Sequence, residues 1–94
     1  MNQIEQSRQR IDSIDRQLLQ LLNERAEVAL LIGKIKKENG LPIYDQSRED
    51  EILSKLQKKN RGPLSNGSIV KIFMTIIREN RNLQTQFMMQ QSED

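Results

Sequence analysis

Arg25 stands where the surrounding pattern calls for an aliphatic side chain. Ile4, Ile11, Leu18 and Ile32 fall at seven-residue intervals with it, so on a helix all five share one face. A guanidinium on that face points at a core or at a cavity within one, and is costly there unless an anion meets it. Lys36 follows eleven residues later. At 100° per residue it returns to within about 20° of Arg25, so the two cations look along one side. Two readings are open for them: both reach solvent or pair with Glu24, Glu27 or Glu49, or together they hold an anion. Arg8 lies roughly 25 Å before Arg25 along the helix axis and about 100° away around it, so these two cannot grip one small molecule within a single chain. Arg8 is then a solvated surface residue, or it serves a site in a second, antiparallel copy.

Near the C-terminus the theme returns in amide form. Asn80 and Gln84, one turn apart, interrupt a stripe containing Ile76, Ile77 and Phe87, so two neutral hydrogen-bonding groups face the interior together. They suit either a ligand or an interhelical amide pair that fixes register. Between these regions, Asp45, Arg48 and Glu49 gather two carboxylates, a guanidinium and free backbone N–H groups at the start of a helix; capping and a surface ion pair account for the same cluster. The sequence has no Cys and no His. Disulfides, thiolate or imidazole metal ligands, cysteine nucleophiles and histidine-based triads are therefore all excluded.

The elements that must position these groups are helices. From Ile4 to Ile35 the apolar residues Ile4, Ile11, Ile14, Leu18, Leu21, Val28, Ile32 and Ile35 recur at helical spacing, with no Pro, and no Gly before Gly33. A helix over about 4–37 would be roughly 50 Å long, whereas a compact chain of this size is only about 32 Å across. The helix must protrude, and its apolar stripe calls for a second copy to cover it in a two-fold dimer. Asn39, Gly40, Leu41 and Pro42 end it. A short helix over 46–59 restarts behind Asp45 or Ser47, with Ile52, Leu53 and Leu56 as its core face. A third, of medium length over 66–89, turns Ile69, Ile72, Phe73, Ile76, Ile77, Leu83, Phe87 and Met88 inward, leaving a fraying tail from Gln90 to Asp94. The expected fold is all-α, a single domain over 1–94, in an intertwined helical homodimer.

Composition agrees with that economy. Of 94 residues only 35% are hydrophobic and 3% aromatic, with Tyr44 the one tyrosine and no Trp, so a small aliphatic core is all one chain can bury. Net charge is +2, with acids and bases interspersed; without an aromatic platform this does not point to nucleic acid. No apolar run reaches the ~18 residues of a membrane span and no signal-peptide core is present, so a cytoplasmic location is the expectation.

In order, Arg8, Arg25, Lys36, Asp45, Arg48, Glu49 and Gln84 resemble the active-site pattern of the all-α class of chorismate mutases. The local texture agrees at Ile11-Asp12-Ser13-Ile14-Asp15-Arg16-Gln17-Leu18-Leu19, at Leu22-Asn23-Glu24-Arg25, at Ile32-Gly33-Lys34-Ile35-Lys36, and at the Asp45-x-x-Arg48-Glu49 signature. The resemblance implies the Claisen rearrangement of chorismate to prephenate on the route to phenylalanine and tyrosine, without cofactor or metal. It also implies a homodimer with two sites, each completed by Arg8 of the other chain. Arg8 and Arg25 would hold the substrate's carboxylates, with Arg48 ordering that end. Lys36 and Gln84 would donate to the ether oxygen, Glu49 would receive the ring hydroxyl, and Asp45 would shape the pocket beside it. Asn80 replaces the small hydroxyl residue, usually Ser, that many relatives carry, and would still contact the substrate.

Two other functions compete. An isochorismate pyruvate lyase uses the same fold, but relatives with that activity tend to lack the Asp-x-x-Arg-Glu signature. A non-catalytic helical dimerisation module would use the inward polar groups only for register, and would have no affinity for small dianions. Similar domains also occur fused to other enzymes of the aromatic pathway, so association or fusion with one is a further expectation.

Overall fold

The long first helix, α1 (Gln3–Glu38), is capped by Asn2, whose side-chain oxygen accepts the Glu5 N–H at 2.7 Å. Glu5 in its first turn and Lys36 and Lys37 in its last complement the helix dipole. It stops at Asn39. Beyond it Gly40 takes φ 67°, a left-handed conformation that glycine adopts without penalty. The Leu41 N–H returns to the Lys36 carbonyl at 2.8 Å and the Gly40 N–H to that of Lys37 at 3.2 Å. This is a Schellman closure, and Pro42 behind it cannot continue the helix.

After the turn, α2 (Gln46–Lys59) begins where Asp45 accepts the Arg48 N–H at 3.0 Å. Asp45, not Ser47, is thus the cap. Asn60 ends the helix and stitches the next connection, donating to the Leu64 carbonyl and to Asn66 Oδ1, each at 2.8 Å. Ser65 then accepts the Ser68 N–H at 3.1 Å and opens α3 (Asn66–Ser92). The structure is a computed structural model that describes residues 2–92, with side chains through 89. Helix α3 runs three residues past the expected end at 89; Glu93 and Asp94, the end of the expected fraying tail, lie outside the described residues.

All three elements are helical and no strand occurs among the described residues. Helix α3 packs against both α1 and α2, which do not pack on each other. The result is an elongated body of 58 × 30 × 15 Å with a radius of gyration of 17.0 Å, against about 12 Å for a compact chain of this length. The cause is α1: its 36 residues extend about 54 Å, and α3 covers only the part around Ala29 and Gly33, the two buried residues of α1. Ile77 is the only other buried hydrophobic among the described residues.

The apolar stripe of α1 is therefore open in the single chain. Ile4 is 63% exposed and Ile11 56%, and Ile14, Leu18 and Leu21 are likewise exposed. On α3, Ile69, Phe73, Ile76, Leu83, Phe87 and Met88 are half-buried as the periodicity predicts. Ile72, expected inward with them, is exposed. No described helix is long and apolar enough to cross a membrane.

Candidate functional site

A cavity of about 280 Å³ lies where the C-terminal half of α1, the start of α2 and the middle of α3 converge. That is the size of site a small organic acid needs. Arg25 and Lys36 reach it from α1, Asp45, Arg48 and Glu49 from the start of α2, and Asn80, Arg81 and Gln84 from α3. Val28, Ile32, Ile43, Ile52 and Ile77 form its apolar walls.

Each polar group has a defined partner. The Arg25 guanidinium donates to the side-chain oxygen of Asn80, across 55 residues of sequence. Lys36 donates to the Ile43 carbonyl at 3.1 Å. Gln84 Nε2 donates to the Ala29 carbonyl at 2.6 Å, which fixes the amide's orientation and leaves its second N–H uncommitted. Glu49 accepts from Arg81 at 2.5 Å, with both side chains more than two-thirds buried. Arg48 lies at the rim, where its guanidinium meets Glu51 at 2.5 Å on an exposed surface. Together with Lys55, that contact holds the Glu51 carboxyl below its usual range.

The electrostatics favour an anion. Four cationic side chains and two carboxylates line the cavity, yet the cations are unequally satisfied. Arg81 is matched by Glu49 and Arg48 by Glu51. Arg25 and Lys36 have only neutral oxygens as partners among the described residues. Burial pushes the Arg25 guanidinium below its usual range, and the charge of Arg48 pushes it in the same direction. A half-buried cation facing a like charge gains most from an incoming carboxylate. No group of three or more Asp, Glu, His or Cys stands together among the described residues to hold a metal.

Of the eight residues singled out from the sequence, seven line this one cavity: Arg25, Lys36, Asp45, Arg48, Glu49, Asn80 and Gln84. Arg8 does not. It is exposed on the protruding part of α1, about 25 Å along the axis from Arg25. Two contributors were missed. Arg81 lines the cavity and anchors Glu49, and it was legible as the i+4 member of the ladder Ile77, Asn80, Arg81, Gln84. Gly33 is the second, which the sequence shows only as a glycine inside the long helix and part of the block Ile32-Gly33-Lys34-Ile35-Lys36. A Cβ built on it would meet Gln84 Cγ at 3.1 Å and Cβ at 3.3 Å, so its missing side chain lets Gln84 lie flat against α1.

That contact gives a prediction. Gly33→Ala gains helix propensity worth up to about 1 kcal/mol but pushes Gln84 by a few tenths of an ångström. Stability should change little, while any turnover that uses the fixed amide of Gln84 should fall about tenfold in kcat, as a displaced donor loses rate steeply. Thermal melts beside steady-state kinetics check this; unchanged kcat would show that Gln84 does not depend on its fit to Gly33.

The sequence profile of the family described as chorismate mutase type II matches residues 7–85. A bifunctional chorismate mutase/prephenate dehydratase of Aquifex aeolicus is 40% identical over 81 residues, which is 82% of this chain but 22% of the relative. The chain thus spans about a fifth of that fused protein. Among solved structures, a chorismate mutase from Thermus thermophilus superposes with a TM-score of 0.88 at 36% identity, covering 89% of this chain and 96% of the other. A chorismate mutase from Helicobacter pylori in complex with prephenate superposes with a TM-score of 0.82 at 34% identity, covering 88% and 90%. With the profile running through all three helices and the cavity between them, the chain belongs to the type II chorismate mutase family.

Proposed function

We propose that this chain catalyses the rearrangement of chorismate to prephenate, in a homodimer whose two cavities are each completed by Arg8 of the other copy. The observation that carries the reading is the pair Arg25 and Lys36, two cations with neutral partners only among the described residues, facing one small cavity. Chorismate is a dianion, and the reaction is pericyclic. It needs no nucleophile, and a chain without His or Cys loses nothing by it. What it needs is a substrate held in its reactive conformer and donors placed where charge grows as the C–O bond breaks.

Arg25 suits a substrate carboxylate, because its fork is already oriented by Asn80. Lys36 and the second N–H of Gln84 suit the ether oxygen, since each donor is held in place by a backbone carbonyl and keeps hydrogens to give. Glu49 retains acceptor sites for the ring hydroxyl beyond the one taken by Arg81. Asp45 sets the start of α2 through its cap, and Arg48 is positioned to swing from Glu51 toward a bound carboxylate. The exposed stripe on α1 supports the dimer. An antiparallel second copy would cover Ile4, Ile11, Ile14 and Leu18, and would carry its Arg8 toward the open side of this cavity.

The test is loss of chorismate absorbance on adding protein, with prephenate identified by its acid conversion to phenylpyruvate. Wild-type protein should turn over chorismate, and Arg25→Ala should lose about 10²-fold or more in kcat/KM, the effect of removing a buried charged partner. A folded dimer that leaves chorismate untouched overturns the reading.

A further inference from the structure

Arg81 is the one cation of the cavity that the roles above leave unexplained. Its guanidinium sits at the junction of three segments. One N–H group meets Glu49 Oε2 of α2 at 2.5 Å, and the guanidinium carbon lies over the Tyr44 ring in the α1–α2 connection, 4.7 Å from its centroid. Arg81 itself projects from α3. Tyr44 is held in turn by a hydrogen bond from its hydroxyl to Gln46. The α1–α2 connection, α2 and α3 are therefore tied together through one side chain, and Glu49 is held at the end of the chain of contacts.

The geometry points to Arg81 as a positioning residue for Glu49: gripped by Tyr44, it fixes the carboxylate that receives the substrate's ring hydroxyl. This rests on the chorismate mutase reading. A glutamate has three side-chain torsions, and one that must present a single oxygen to a hydroxyl loses that precision if it is free to rotate. A planar, always-charged fork fixes both the direction and the distance of its partner. Stacking on an aromatic face in turn limits the fork's own motion. Arg81 thus acts on the substrate through Glu49 and not by direct contact.

The experiment is a double-mutant cycle on the full chain with chorismate as substrate. Arg81→Met, which keeps the stem and removes the fork, should lower kcat/KM about tenfold or more in the wild-type background. In a Glu49→Gln background it should cost less than about threefold, because the carboxylate it acts on is gone. Arg81→Lys, keeping the charge without the fork or the stack, should fall between Met and wild type. It carries the same cycle should Arg81→Met not fold. A substrate analogue lacking the ring hydroxyl gives a readout that a merely structural role would not move, since wild type and Arg81→Met should then react at the same rate.

Equal losses in both Glu49 backgrounds, or an undiminished loss with the analogue, would overturn the proposal and assign Arg81 to the substrate itself or to the fold. Wild-type turnover in the same assay separates the two levels. Its presence confines a failure to the role of Arg81, and its absence overturns the underlying reading together with the proposal.

Discussion

Lys36→Ala is expected to lower kcat by about 10²–10³-fold while changing KM by less than about tenfold, the range seen when one donor to a developing oxyanion is removed. The asymmetry follows from when the contact matters. The ether oxygen of chorismate is a weak acceptor in the ground state and gains negative charge only as its bond to the ring lengthens, so a donor there stabilises the transition state more than the bound substrate. The structure supplies the positioning. Lys36 lies in the last turn of α1, lines the cavity and is steadied by the Ile43 carbonyl at 3.1 Å. The loss should be kinetic and not structural, because Lys36 has no charged partner to strand among the described residues. Circular dichroism melts and steady-state constants measured together check this. A raised KM with unchanged kcat would remove Lys36 from the ether oxygen and make it a simple anchor for a carboxylate.

Much of this site was legible because its residues break a strong period. Arg25 replaces an aliphatic side chain in a run at seven-residue intervals, and Asn80 and Gln84 interrupt an equally clear stripe, so their inward direction follows from helical geometry alone. Caps and breakers at Asn39, Gly40 and Asp45 mark the C-terminal end of α1 and the start of α2 for similar local reasons. Arg81 escaped notice because it sits in the polar run Arg78, Glu79, Asn80, Arg81, Asn82. Residue type there does not say which arginine turns inward; the spacing does, since Arg81 lies four residues after Ile77 and three before Gln84. The pairings Arg25 with Asn80 and Gln84 with Ala29 cross 55 residues each. They depend on how α1 and α3 slide past one another, which periodicity within either helix does not encode. The fit of Gly33 to Gln84 was hidden for the same reason. Ile72 shows the converse failure: an apolar residue at the right spacing is exposed because α3 is covered over a narrower face than the stripe suggests.

Arg8→Ala should cost about 10²-fold or more in kcat/KM even though Arg8 lies far from the cavity of its own chain. Its proposed contact is made in the second copy, where a guanidinium on a substrate carboxylate replaces water with a charge-assisted, two-pronged bond. Within one chain Arg8 is an exposed residue on a protruding helix, and substitutions at such positions usually change stability by less than about 0.5 kcal/mol. A large kinetic effect with an unchanged melting temperature and unchanged dimer would therefore be diagnostic of a site built from two chains. The apolar stripe beside it, from Ile4 to Leu18, is what would bring the two copies into register.

The most direct test of that shared site is to mix Arg8→Ala with Lys36→Ala, each inactive alone, and allow subunits to exchange. Random exchange makes half the dimers mixed. In each of these, one site has both substitutions and the other has neither, so about a quarter of the wild-type activity per site should return. Exchange itself is followed by mass spectrometry of the mixture. If mixed dimers form and activity stays at the level of the parents, Arg8 does not complete the other chain's cavity, and the two-chain site is wrong.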